Sequence, residues 1–175
     1  MRMNILFLST NTNKSYNEPV LSQIRKLKYD VMDASFNDSI ADKAAAIAKA
    51  TREIKRSDAI IIEGTETNFD LGRLLTLTVL QHKPVLIFQL RGKGEHLELG
   101  SNRLVVYKKY IPENMEEIGK NIESFSGIVD QQRLTYRFNL MLSKNINEYL
   151  MTSAQKRGIS KADYIRNLIF TDMGA

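Results

Sequence analysis

Short apolar runs alternate with helix-period stripes along most of the chain. Residues 4–8, Asn-Ile-Leu-Phe-Leu, form a continuous apolar run that gives way to the polar stretch 9–15. A run of strand length without polar alternation predicts a parallel strand covered on both faces. Residues 19–27 place Leu21, Ile24 and Leu27 on one side of a helix, with Pro19 suited to its first turn. Residues 29–34 read as a second strand, and the Ala-rich segment 42–54 as a helix. Residues 59–63, Ala-Ile-Ile-Ile-Glu, predict a third strand. A helix over 68–82 follows, packed through Leu71, Leu74, Leu75 and Val79 and ended by His82 as a cap. Strands over 84–88 and 104–107 and a helix over 111–125, opened by Pro112, complete the series. Strand and helix alternate throughout, which predicts an α/β fold built on a doubly wound parallel sheet.

After this the period changes. In residues 136–143 Phe138, Leu140 and Leu142 alternate with Arg137, Asn139 and Met141, the pattern of a strand with one buried face. Ile146, Tyr149, Leu150 and Ala154 then form a stripe on a helix from about residue 145 to 157. Gly158 suits a left-handed helix end, and Ser160 with Asp163 makes a capping-box-like start for a second helix buried through Ile165, Leu168 and Ile169. The expected organisation is an α/β domain over 1–127, a joint over 128–132 and a small unit over 133–175.

Composition sharpens this division. A hydrophobic fraction of 43% and a charged fraction of 26% belong to a folded soluble protein. The net charge is +5, and from residue 131 onward seven cations face three acids, so this small part carries +4 and the first 130 residues +1. Positive charge is concentrated where a phosphate-binding surface would be. There is no cysteine, which rules out disulfide and thiolate chemistry and fits a reducing compartment. With His82 and His96 the only histidines, no zinc site and no cofactor are expected. The amino-terminal apolar run is too short for a signal peptide or a membrane span, so a cytoplasmic location without membrane association is expected.

In doubly wound sheets ligands bind at the carboxyl ends of the strands. Here those ends carry Ser9, Thr10 and Asn11, then Asp33, then Glu63, Gly64 and Thr65, then Gln89. A polar, partly acidic pocket follows, and Ser9, Thr10, Asn11, Glu63, Gly64, Thr65 and Asp70 are its candidate residues, with a nucleotide-like small molecule as the candidate ligand.

About 45 residues in one strand and two helices bury little surface alone, and a lone strand leaves its backbone unpaired. A second copy would supply the missing strand as an antiparallel ribbon with Arg137, Asn139 and Met141 facing outward twice. Such a ribbon fits the major groove, where Arg reads guanine, Asn reads adenine and Met packs on a thymine methyl. Ser160 and Lys161, at the start of the second helix, would meet a backbone phosphate. Strand pattern, helix lengths and the Arg-Gly-Ile-Ser-Lys turn at 157–161 resemble the ribbon-helix-helix repressors of the Arc and MetJ type. The resemblance implies a homodimer, or a higher oligomer, that binds double-stranded DNA with Arg137, Asn139 and Met141 as base readers.

The first domain has its own resemblance. Residues 57–63, Ser-Asp-Ala-Ile-Ile-Ile-Glu, with Asp-Leu-Gly-Arg at 70–73 and His-Lys-Pro-Val-Leu at 82–86, are similar to the nucleoside 2-deoxyribosyltransferase and deoxynucleotide N-glycosidase superfamily. That resemblance implies a carboxylate nucleophile at Asp70, where the family has Glu, attacking a deoxyribosyl anomeric carbon. Asp is one methylene shorter, and the loops 9–17 and 65–69 lack the family's glycines. These departures count against a working enzyme.

Three readings follow. The first is a sequence-specific DNA-binding regulator with a ligand-sensing or assembly domain. The second is a deoxyribosyl transferase or N-glycosidase using Asp70, and the third an antitoxin-like module that binds a partner protein.

Overall fold

The computed structural model describes residues 2–11, 13–36, 43–93, 102–132 and 139–173, in two compact units, Met1–Arg133 and Leu134–Ala175.

In the first unit five parallel strands, β1 (Asn4–Ser9), β2 (Asp30–Asp33), β3 (Ala59–Glu63), β4 (Val85–Leu90) and β5 (Val105–Tyr110), lie in the order β2-β1-β3-β4-β5. The central strands β3 and β4 are buried from end to end, as unbroken apolar runs require. Side-chain alternation divides the core between the two faces of the sheet. Ile5, Phe7, Ile61, Leu86 and Phe88 pack against helices α1 (Lys14–Lys26) and α4 (Met115–Gln132). Leu6, Leu8, Ile60, Ile62 and Ile87 meet α2 (Lys43–Arg56) and α3 (Phe69–Leu80) on the other face. Each fully buried Ile, Leu or Phe contributes roughly 1.5 to 3 kcal/mol relative to exposure, so this two-sided core stabilises the unit.

Several boundaries differ from the sequence expectation. The first helix starts at Lys14, because Asn13 caps it by accepting the Ser15 N–H at 2.9 Å, and Pro19 therefore lies inside it. Strand β5 runs on through Lys108 and Lys109 to Tyr110, since an edge strand tolerates exposed cations on its open side. Residues 128–132, expected as a joint, belong to the last turns of α4. At the ends of α1 and α3 the left-handed positions are taken by Lys28 (φ 61°) and His82 (φ 53°), and the His82 N–H caps Val79 O at 2.9 Å.

The second unit holds α5 (Lys144–Lys156) and α6 (Lys161–Met173), and among its described residues there is no strand. This overturns the expected ribbon-helix-helix unit. Residues 139–143 pair with no strand, Leu140 is 53% exposed where burial was expected, and Met141 is 97% exposed. A β-strand needs a hydrogen-bonded neighbour to be stable, and the described residues supply none here. Ser143 instead caps α5 by accepting from the Ile146 N–H. The turn between the helices matches its sequence signals: Gly158 has φ 65°, and Ser160 Oγ accepts from the Asp163 N–H at 3.1 Å while donating to the Asp163 carboxylate at 2.6 Å. The core of this unit is small, with Leu150, Ala154 and Tyr164 buried and Leu142, Ile159 and Ile165 packed around them.

Candidate functional site

The sheet order reverses between β1 and β3, where α1 and α2 leave on opposite faces. Register sets Ser9 at the end of β1 directly beside Glu63 at the end of β3. The backbone beyond β1 folds into tight turns of its own making: Asn11 N–H donates to Ser9 Oγ at 3.0 Å, and Asn13 N–H donates to Asn11 Oδ1 at 2.7 Å. Thr10 Oγ1 donates to Glu66 O at 2.7 Å, tying this loop to the one beyond β3. Asn17, one turn into α1, donates through Nδ2 to Asn11 O at 2.8 Å.

Glu63 has no exposed surface. Its Oε1 accepts the Thr65 N–H at 3.2 Å, the Thr65 hydroxyl, and the Tyr110 hydroxyl at 3.3 Å. Thr65 is itself held in place, since its Oγ1 accepts the Leu90 N–H at 2.9 Å. Tyr110, at the end of β5, packs edge-on against Phe88 at 5.5 Å between ring centroids, and its hydroxyl also lies 3.3 Å from Tyr16 O. Burial pushes the Glu63 carboxyl above its ordinary value, against the opposing pull of the Thr65 and Tyr110 hydrogen bonds; the Glu66 charge adds to the rise. Burial, and then the Glu63 charge, push the Tyr110 hydroxyl well above its ordinary value.

Four buried side-chain atoms have no hydrogen-bond partner among the described residues: Asn11 Nδ2, Asn17 Oδ1, Ser35 Oγ and Glu63 Oε2. All four belong to the segments that leave the carboxyl ends of β1, β2 and β3 or to the first turns of α1. Each such atom costs about 1 to 3 kcal/mol while unpaired. Their grouping at one edge of the sheet is therefore a concentrated unmet demand for polar contacts.

Of the expected ligand residues, Ser9, Thr10, Asn11, Glu63 and Thr65 come together at this edge, while the Gly64 N–H serves the sheet by donating to Phe88 O at 2.8 Å. Asp70 lies in the first turn of α3, behind the Asn68 cap. Its carboxylate meets Lys43 Nζ at 2.7 Å and Arg73 at 4.0 Å. An acid in the first helical turn that already holds two cations has a structural explanation, and no arrangement of a catalytic Asp is present among the described residues. The transferase and glycosidase reading is corrected accordingly. Sequence reading missed Asn17, Ser35 and Tyr110. For Tyr110 the signal was the apolar residue closing Val-Val-Tyr-Lys-Lys-Tyr, passed over because the two lysines broke the run.

The expected DNA interface is likewise not found. Arg137 lies outside the described residues, and Asn139 and Met141 are exposed on a segment that forms no ribbon. Ser160 is engaged as a cap, and Lys161 Nζ donates to Asn147 Oδ1 at 3.0 Å within the unit. Among the described residues no helix is long and apolar enough to cross a membrane, and no group of three or more His, Asp or Glu could hold a metal ion.

No protein-family model matches the chain, and no curated protein matches it. Solved structures with some likeness include oxidised DJ-1 of Toxoplasma gondii, at 13% identity over 77% of this chain and all of that one, TM-score 0.44. A sugar ABC transporter protein from Yersinia enterocolitica shares 16% identity over 73% of this chain and 37% of its own length, TM-score 0.45. A de novo designed Rossmann 2x3 protein shares 17% identity over 79% of this chain and 98% of its own, TM-score 0.43. Neither of the two family resemblances is upheld. What the chain has is a parallel, Rossmann-like α/β core of general type, followed by helices.

Proposed function

We propose that the first unit binds a small polar molecule at the carboxyl ends of β1 and β3, with Glu63, Asn11 and Asn17 as the groups that read it. The observation that carries this reading is the gathering of four unpartnered buried polar atoms at one edge of an otherwise well-satisfied sheet. Protein interiors normally pair such atoms, and a ligand of matching polarity removes the cost of leaving them unpaired. Position supports the same reading, since the strand order reverses between β1 and β3, the place where doubly wound sheets take their ligands. Rigidity supports it as well: Thr65, Tyr110 and the backbone turn at Asn11 hold the reading groups by bonds that a ligand need not disturb.

The function so inferred is recognition of a small molecule, with nucleotide-like compounds, sugars and amines as the classes to compare. A thermal-shift screen of the full chain against these classes, followed by amide NMR, tests it. At least one class raises the melting temperature saturably and moves the Asn11 and Asn17 side-chain amide signals. If no class moves those signals, this edge of the sheet is not a binding site.

A further inference from the structure

The polar groups at the carboxyl ends of β1 and β3 are unevenly equipped. Every donor that reaches Glu63 converges on Oε1, which leaves Oε2 with no partner among the described residues. Among the described residues no cation acts on this carboxyl: the groups that influence it are Thr65, Tyr110 of β5 and the second acid Glu66. Lys43, the first residue of α2, is engaged by Asp70. A buried carboxylate without a counter-charge is strongly disfavoured, and breaking or withholding its partner is among the most costly arrangements a core can hold. Asn17 Oδ1, in the first turn of α1, is a second unfilled acceptor, next in the chain to Tyr16, whose carbonyl meets the Tyr110 hydroxyl, while Asn11 Nδ2 is a single unfilled donor.

We propose that the ligand of this site is an organic cation whose ammonium group pairs with Glu63 Oε2 and donates a further hydrogen bond to Asn17 Oδ1. This rests on the binding-site reading above and adds the chemical class of the ligand. An ammonium brings several donors and the missing positive charge in one group. A phosphate or carboxylate would set a third negative charge beside Glu63 and Glu66. The amino end of α1, at Asn13 and Lys14, offers an anion some attraction, which the two acids oppose. A neutral polyol can fill the acceptors but leaves the carboxylate without its counter-charge.

The test is calorimetric titration of the full chain with three probes, n-butylammonium chloride, xylitol and inorganic phosphate, across mildly acidic to neutral pH. The ammonium binds, and its affinity rises with pH as Glu63 ionises. Glu63→Gln weakens it at least about ten-fold, the loss expected when a charge-assisted hydrogen bond is removed. Asn17→Ala, which leaves every bond to Glu63 in place, weakens it several-fold and serves where the Gln variant folds poorly. Binding of xylitol or phosphate at these groups in preference to the ammonium overturns the cationic assignment and leaves the site reading standing. Failure of all three probes, with the Asn11 and Asn17 amides unmoved, overturns both.

Discussion

Leu71, Leu74 and Leu75 occupy regular helical spacing in the first unit and all three are buried, whereas Ile146, Tyr149, Leu168 and Ile169 occupy equally regular spacing in the second unit and remain exposed. The patterns are of the same quality; the opposing surface is not. A five-stranded sheet offers α3 a broad apolar face, while α5 and α6, of 13 residues each, share a core in which Leu150, Ala154 and Tyr164 are the buried residues described. Periodicity tells which face of a helix is apolar. It does not tell what covers that face, and in a segment of this size there is little to cover it with.

This contrast can be broken most sharply in the core. Phe88→Ala, in the fully buried β4, should cost about 3 to 5 kcal/mol in chemical denaturation, as large-to-small changes in close-packed cores do. A loss below about 1 kcal/mol would mean that the first unit is as loosely covered as the second. The helix ends give a smaller effect with opposite signs in the two units. His82→Gly should stabilise and Gly158→Ala should destabilise, each by about 1 kcal/mol, because only glycine takes the left-handed conformation without strain. Equal signs in equilibrium unfolding would show that the two turns relax on substitution. The smallest effect belongs to the exposed stripe: Ile169→Ala should change stability by no more than about 0.5 kcal/mol. A larger loss, read from hydrogen exchange in α6, would reveal a cover on that face.

The same contrast explains how far the sequence could be read. Residues 59–63 coincide with β3 because an Ala-Ile-Ile-Ile run can be satisfied only between two helical layers. The ends of β1 at Ser9 and of β3 at Glu63 were also legible, since they follow directly from where the apolar runs stop. Over residues 139–143 the strand expectation failed because alternation was taken as proof of pairing, and a strand's stability lies in its neighbour; residues 136–138 lie outside the described residues. Asp70 was overvalued for a similar reason: a local match of Asp-Leu-Gly carries no information about Lys43, which reaches it from another helix. Tyr110 was out of reach because only the sheet's register brings it to Glu63, and Asn17 because only the turn before α1 brings its side chain to the Asn11 carbonyl.

The account depends on Glu63 being a buried carboxyl that lacks a counter-charge, and that has a definite pH signature. A folded-state value raised above the ordinary 4.5 means that the native chain holds this proton more tightly than the unfolded chain. The stabilisation is therefore complete below the unfolded value and is lost as pH rises through the folded one; Glu63→Gln, which cannot ionise, should abolish that loss. The most direct measurement is the carboxyl 13C shift of Glu63 followed against pH, with and without n-butylammonium. A midpoint above 4.5 that falls when the ammonium is added is the predicted result. A midpoint at the ordinary value, unmoved by the ammonium, would contradict it.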